Sequence, residues 1–304
     1  MSAARKQYTL NNSPRTAING FSDSAIIGNL LFQWGQTVST VDGTQTFKYR
    51  KKHSSRVHSM LNNVSFKNVK SCLPIGAWSQ SDFKINRNNS VNGNTPFYWV
   101  SVGEAPNGKG SNDRPNGHRI LESDEPIKIA WGKPSNATDG TATYKMDTTF
   151  DDDHLAVFTC PASSDARWDF AVKDVSGPSK QFKINRANGI NGKHLFHYLA
   201  LGYEKGKSPK DWAPGVYGSD EDNGLLLQWG KATSTSDFEE VFKLHTAFAD
   251  MNFSVITTMI GDNMGYGLSL TRPVNTRSFI VDRDGSVNGK RSFYWLAIGR
   301  KPKA

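Results

Sequence analysis

The sequence predicts an all-β protein made of three tandem antiparallel β-sandwich domains, and three observations carry that prediction. A closing phrase occurs three times: "FKINRNNSVNGNTPFYWVSVG" at 83–103, "FKINRANGINGKHLFHYLALG" at 182–202 and "FIVDRDGSVNGKRSFYWLAIG" at 279–299. An opening phrase precedes each one: "LLFQWG" at 30–35, "IKIAWG" at 127–132 and "LLLQWG" at 225–230. An aromatic–lysine pair then follows each opening tryptophan by 13 residues: Phe47-Lys48, Tyr144-Lys145 and Phe242-Lys243. The tryptophans Trp34, Trp131 and Trp229 are 97 and 98 residues apart, and the closing glycines Gly103, Gly202 and Gly299 are 99 and 97 apart. Such constancy of order and spacing defines a triplicated unit of roughly 75 residues, longer than the ~20–50 residues of a solenoid repeat.

Residues 1–27 read as an N-terminal arm. They hold no apolar core of signal-peptide length, so synthesis in a cytosol is expected. Copy one spans 28–103, copy two 127–202 and copy three 225–299. Each opening run is short, apolar and closed by glycine, which suits a strand and not a helix. Each closing phrase reads as two strands about a turn. In copy two "FKINR" and "HYLALG" flank "ANGING", and Asn-Gly is the strongest short-range hairpin signal because type I′ turns need positive φ at both central residues. The last strand, Phe293 to Gly299, is apolar on both faces. That suits either burial between its own sheet and a neighbouring copy, or a central strand with one aromatic facing water. No segment offers a capped amphipathic helix. Between the copies, 104–126 and 203–224 are rich in Gly, Pro, Asn and charge and read as linkers. Trp212 and Tyr217 stand out in the second one and predict that it docks. A short basic tail, 300–304, ends the chain.

The net charge of +9 and a pI near 9.4 are unevenly spread. Copy one carries nine Lys/Arg against two acids, copy two nine against eight, and copy three seven against seven. The excess sits in "KYRKKHSSRVH", 48–58, whose counterpart in copy two is "YKMDTTFDDDH". Opposite charge at equivalent places predicts complementary faces, the alternative being solvated loops whose charge has drifted. Tyr49, Arg50, Lys51, Lys52, His53 and Arg56, with Asp151, Asp152 and Asp153, and with His245 and Phe248 of copy three, are the candidate ligand or partner contacts.

Catalytic signatures are missing. The chain has no P-loop, no G-x-G-x-x-G after a strand, no G-x-S-x-G and no H-E-x-x-H. The aspartates at 151–153 lack the alternating ligands of an EF-hand loop. Cys72 and Cys160 occupy non-equivalent places and predict neither a disulfide framework nor a metal site. His194 and His197 have no third ligand nearby in sequence. A repeated catalytic acid would recur, yet Asp282 is matched by Asn86 and Asn185. The neighbouring arginine does recur, as Arg87, Arg186 and Arg283, and at a strand end it predicts a fork onto turn carbonyls or an interface contact. The basic cluster lacks the aromatic pattern of an RNA-binding sheet or a recognition helix, so nucleic acid is not an expected partner. No enzyme activity, metal or cofactor is predicted.

The opening "LLLQWG" and the closing "FYWLAIG" resemble those of the C-terminal tip domain of bacteriophage tail fibres, a family similar in turn to the H-type lectins. The resemblance covers about three quarters of the chain, once per copy, and is strongest in copy three. Copy two departs most, with Ala130 for Gln and Tyr198 for the late tryptophan. It implies small antiparallel sandwiches that associate as trimers and bind sugars near their contacts. Trp34, Trp131 and Trp229, with Trp99, Tyr198 and Trp295 and the three arginines, then read as scaffold or interface positions. Three copies in one chain predict a pseudo-threefold cluster, a pseudo-trimer made by fusion. The alternative is three beads, each completing a homotrimer with other chains. The expected function is a virion receptor-binding protein adhering to host cell-surface polysaccharide without catalysis and without membrane insertion, its arm contacting other virion proteins. The alternative is a virion structural piece, such as a capsid decoration, neck or fibre adaptor.

Overall fold

The computed structural model describes residues 20–54, 57–64, 72–75, 79–87, 94–106, 116–121, 127–136, 140–151, 155–162, 171–176, 180–186, 194–204, 206, 215–218, 224–235, 239–261, 268–283 and 289–303. Among them every regular element is a β-strand, so the all-β prediction holds.

The first stretch contains β1 (Phe21–Ile27), β2 (Leu30–Ser39), β3 (Gly43–Lys48), β4 (Val57–Val64), β5 (Cys72–Ile75), β6 (Asp82–Arg87) and β7 (Thr95–Glu104). They form a four-stranded sheet in the order β1-β2-β7-β4 and a three-stranded sheet in the order β3-β6-β5. The second contains β8 (Asn116–Leu121), β9 (Ile127–Gly132), β10 (Ser135–Asn136), β11 (Gly140–Lys145), β12 (Ala156–Pro161), β13 (Ala171–Ser176), β14 (Gln181–Arg186) and β15 (His194–Tyr203). Its orders are the same, β8-β9-β15-β12 and β11-β14-β13, with β10 continuing β9 along β15. The third contains β16 (Gly215–Gly218), β17 (Leu225–Ser234), β18 (Glu240–Lys243), β19 (Ser254–Ile260), β20 (Leu268–Asn275), β21 (Ser278–Arg283) and β22 (Arg291–Arg300). It repeats the pattern as β16-β17-β22-β19 and β18-β21-β20.

Residue patterning explains the two sheets. The strand that ends in the aromatic–lysine marker alternates half-buried and exposed positions, "GTQTFK" and "GTATYK" giving one wet face. The four-stranded sheets instead carry runs buried on both faces, such as "IKIAWG" and "TPFYWVSVGE". An aromatic group locks the two sheets together, and it is the same in every copy. Phe47 stacks on Phe83 at 5.6 Å and meets Phe97 edge-on at 5.3 Å, while Phe83 lies 5.1 Å from Trp99. Tyr144, Phe182, Phe196 and Tyr198 repeat this with 5.8, 5.0 and 5.0 Å, and Phe242, Phe279, Phe293 and Trp295 with 5.6, 5.1 and 5.5 Å.

Two expectations are corrected. The strands flanking each closing-phrase turn do not form a hairpin: β6, β14 and β21 lie in the three-stranded sheets, and β7, β15 and β22 in the four-stranded ones. The turn crosses between sheets because the apolar faces on either side of it pack on each other, Phe83 against Trp99. The Asn-Gly turn residues at 92–93 and 188–189 lie outside the described residues. In addition, a strand precedes each opening phrase. β1 lies in the segment read as an arm, and β8 and β16 lie in the segments read as linkers, each pairing with the opening strand behind it. Tyr217, on β16, is buried as its docking predicted; Trp212 lies outside the described residues.

The contacts between copies run in a cycle. Strand β4 packs on β15, β12 on β22, and β19 on β7, while β4, β12 and β19 also meet one another. The closing strands are therefore shared: Phe293, Trp295 and Ala297 belong to copy three's own core, whereas Tyr294, Leu296 and Ile298 join a core that includes Leu61 and Val100 of copy one and Phe158 and Leu201 of copy two. A band of polar contacts lies in each of the three seams. The Cys160 thiol donates to Asn62 Oδ1 at 3.0 Å, the Thr159 N–H donates to Thr258 Oγ1 at 3.1 Å, and the Asn63 amide meets the Thr257 hydroxyl. One parallel pairing, Val172 with Ile260, joins a sheet of copy two to one of copy three.

Candidate functional site

The opening motif is a device for holding backbone. Gln33 is buried, accepts from the Lys51 N–H at 2.9 Å and donates to the Lys51 carbonyl at 3.0 Å. Gln228 grips Thr246 in the same manner, with both bonds at 2.8 Å. In each case the gripped residue lies 18 positions on. Copy two has Ala130 there and no such grip. The glycine that follows the tryptophan is required by close approach: a Cβ on Gly35 or Gly230 would press on the indole of Trp99 or Trp295. The closing Gly299 likewise makes room for Phe248 and Phe253, and Gly103 for His53.

Each opening tryptophan is buried and faces the next copy round the cycle. Trp34 donates through Nε1 to the Asn252 carbonyl at 3.1 Å, and the Arg300 guanidinium lies over its ring at 5.4 Å. Trp131 stacks on His58 at 4.5 Å and 13°. Trp229 lies 5.7 Å from Tyr203. Arg300, Tyr203 and Glu104 each directly follow a closing glycine, so they are equivalent. Glu104 takes its part through His58, whose Nε2 is 3.2 Å from Oε1, and Arg119 of copy two comes within 3.8 Å of the same oxygen.

The seam between copies one and three is ionic. Arg300 binds Asp23 through Nε at 2.7 Å and Nη2 at 2.8 Å, and Nη2 also donates to the Ser24 carbonyl at 2.6 Å. Arg50 adds Nη1 to the Ser22 carbonyl at 2.7 Å and stands 3.5 Å from Asp23. Burial alone would raise the Asp23 pKa. The bond from Arg300, the Ser24 N–H and the charges of Arg300 and Arg50 outweigh it and hold the carboxyl below its ordinary value.

The predicted contact residues separate into two groups. Arg50, Lys51, Lys52 and His245 are exposed. Tyr49, His53 and Phe248 are buried, which removes them from any ligand surface. The reason is positional: residue 53 is equivalent to Phe150 and Phe248, both buried, and His53 and Phe248 fill the space beside the closing glycines Gly103 and Gly299. Burial, with Asp82 adding to it, pushes the Tyr49 phenol well up. Burial, aided by the charge of His58, lowers His53 to about 4, and its Nε2 lies 2.9 Å from the donating Gln33 Nε2. Asp151 accepts from the Gly206 N–H, just past the end of its own copy; Arg56, Asp152 and Asp153 lie outside the described residues. The recurring arginines are buried as well. Arg87 bonds the Ser39 carbonyl and the Thr95 hydroxyl and pairs with Asp42 at 2.9 Å, and Arg283 bonds the Gly289 carbonyl. Arg186 holds the equivalent place opposite Gly140, as Arg87 does opposite Gly43.

Of the two histidines weighed as ligands, His197 is fully buried on β15, its imidazole held well below its ordinary pKa by burial and by Lys133. Among the described residues no group of three or more His, Cys, Asp or Glu is placed to hold a metal ion. Sequence reasoning missed Asp23 and Arg300. Extending the alignment one residue past each closing glycine would have flagged Arg300 beside Glu104 and Tyr203.

No curated protein and no solved structure matches the chain. A family model does: residues 220–300, which hold all of copy three from its opening strand to Arg300, match the family described as "Putative tail fiber protein gp53-like, C-terminal". Over that stretch the sequence is similar to the C-terminal domain of a phage tail fibre family.

Proposed function

We propose that the chain is a fused trimer of tail-fibre tip domains that adheres to host cell-surface glycan without catalysis. The observation that carries this reading is the family match of copy three, joined to the recurrence of its strand order, aromatic group and seam tryptophan in the other two copies. Domains that associate as trimers and are fused in one chain would meet head to tail in a closed ring, and cyclic contacts between β4, β12 and β19 and the closing strands suit that arrangement. The domains of this reading are 28–103, 127–202 and 225–299, each extended by its leading strand. Its partners are a surface polysaccharide and, through the N-terminal segment, other virion proteins.

Two measurements test it. Small-angle scattering of the isolated chain should give a compact profile of monomer mass; a string of beads or a mass three times larger rejects the fused trimer. An array of bacterial surface glycans should show saturable binding. A chain that binds none of them, yet is found at a capsid or neck position in intact particles, is an assembly protein instead.

A further inference from the structure

We propose that an acidic glycan binds at one place on the molecule, a basic shelf of Arg50, Lys51 and Lys52 continued by Arg300 across the seam between copies one and three. The inference rests on the adhesion reading and adds to it the charge class of the ligand and the number of sites.

The first support is how the shelf is built. Surface lysines are usually carried on loose loops, but here Gln33 clamps both backbone groups of Lys51, and the neighbouring Gln80 side chain donates to the Ser54 carbonyl at 2.9 Å. Arg50 is pinned on the Ser22 carbonyl, with half its side chain still in water at 55% exposure. The stretch is thus ordered before any ligand arrives, which lowers the ordering cost of binding. The second support is charge. Asp23 is shared by Arg50 and Arg300, and Asp250 also acts on Arg300, so the arginines at the seam are balanced and the excess of positive charge is that of Lys51 and Lys52 beside them. Among the described residues no acid pairs with Lys51 or Lys52, both of which are exposed.

Comparison with the sister copies argues for a single site. The positions equivalent to Arg50, Lys51 and Lys52 are Asp147, Thr148 and Thr149 in copy two and His245, Thr246 and Ala247 in copy three. In copy three the grip survives, since Gln228 holds Thr246 as Gln33 holds Lys51, but neither lysine nor arginine stands at these places. The same frame is therefore present with and without the cations. A fold requirement would have kept them in both copies; a ligand requirement needs them in only one.

The test uses the full chain and two probes, polygalacturonate for carboxylates and dextran sulfate for sulfate esters, with neutral dextran as control. Binding to an acidic probe should weaken as salt rises. The double variant Lys51→Thr/Lys52→Ala, which installs the residues of copy three, should bind about tenfold more weakly, because exposed charge contacts are individually modest. The reciprocal variant Thr246→Lys/Ala247→Lys should raise the stoichiometry from one site towards two, with an unchanged melting temperature as the check on folding. Unaltered affinity in the first variant overturns the shelf, and so does tighter binding of single-stranded DNA than of either glycan. If the wild-type chain binds a neutral glycan on the array and neither acidic probe, the adhesion reading stands and this inference fails. Failure of the adhesion reading has a different signature, in which no array glycan is bound at all.

Discussion

The seams closed by Trp229 and by Trp34 use the same residue at the same place and surround it with different chemistry. In register, Trp229 faces Gly215 and Trp131 faces Gly117, and a Cβ at either glycine would collide with the indole. Trp34 faces Asp23 instead. Where Tyr203 meets Trp229, Arg300 meets Trp34 and takes Asp23 as its counter-ion. A homotrimer must use one solution three times, because each interface repeats the same residues. Seams formed within a single chain are free of that constraint, and here an aromatic, an ionic and a His–Glu closure coexist. The tryptophan is the invariant part, and its cap has changed in each seam.

The sharpest way to break this comparison is to remove the invariant part. Trp229→Ala should cost about 3–5 kcal/mol, the usual range for truncating a large buried aromatic, and urea denaturation should show it as a lowered midpoint. An unchanged midpoint would mean that the seams carry little of the stability.

The next effect separates copy one from its sisters. His53 fills a place that Phe150 and Phe248 fill elsewhere, and its folded pKa is about 4 against an ordinary 6.5. Between those values the unfolded chain binds a proton that the folded chain refuses, so stability falls as pH falls. The loss should begin near pH 6.5 and be complete near pH 4, with a span of about 3 kcal/mol from this group alone. Replacing it by the sister residue, His53→Phe, should flatten that part of the curve, leaving the contribution of His197. A variant as acid-sensitive as the wild type would show that the buried imidazole is not the cause.

Copies one and three also differ from copy two in the glutamine grip. Gln228→Ala leaves the Thr246 N–H and carbonyl without that partner and should cost about 1–3 kcal/mol in thermal or chemical unfolding. Ala130→Gln offers copy two the grip it lacks, and a gain in melting temperature would show that the backbone near Thr148 is already in position.

Much of this was legible in the sequence, and what escaped it has a physical cause. Markers recurring at constant spacing reveal equivalence, so the buried tryptophans, the arginine forks and the doubly apolar closing strand could be anticipated. The Asn-Gly signal is local: it reports a turn but not whether the strands beside it pair or face each other, which Phe83 on Trp99 decides. The leading strands escaped because β8 and β16 are short, lie among Gly, Pro and charge, and acquire order from the strand they pair with. The basic run could be seen but not sorted, since Tyr49 and His53 directly flank Arg50, Lys51 and Lys52 in sequence and only packing assigns each to core or solvent.

The smallest effect belongs to the ionic seam itself. Three charge-assisted bonds join Arg300 to Asp23 and Ser24, a bidentate geometry that favours a real contribution. Both side chains remain partly wet, at 28% and 19% exposure, so water competes for each charge. Asp23→Asn should therefore cost only about 1 kcal/mol, and a double-mutant cycle with Arg300→Gln should return a coupling of that order. The sign with pH is opposite in cause to that of His53 although the direction is the same. A carboxyl held below its ordinary value of 3.8 stabilises the fold above that pH and loses its contribution as pH falls through the folded value. Because that window lies below the one set by His53, the His53→Phe variant exposes it: its remaining low-pH loss should shrink further when Asn replaces Asp23. A coupling near zero would make the cation over Trp34, and not the carboxylate, the group that closes this seam.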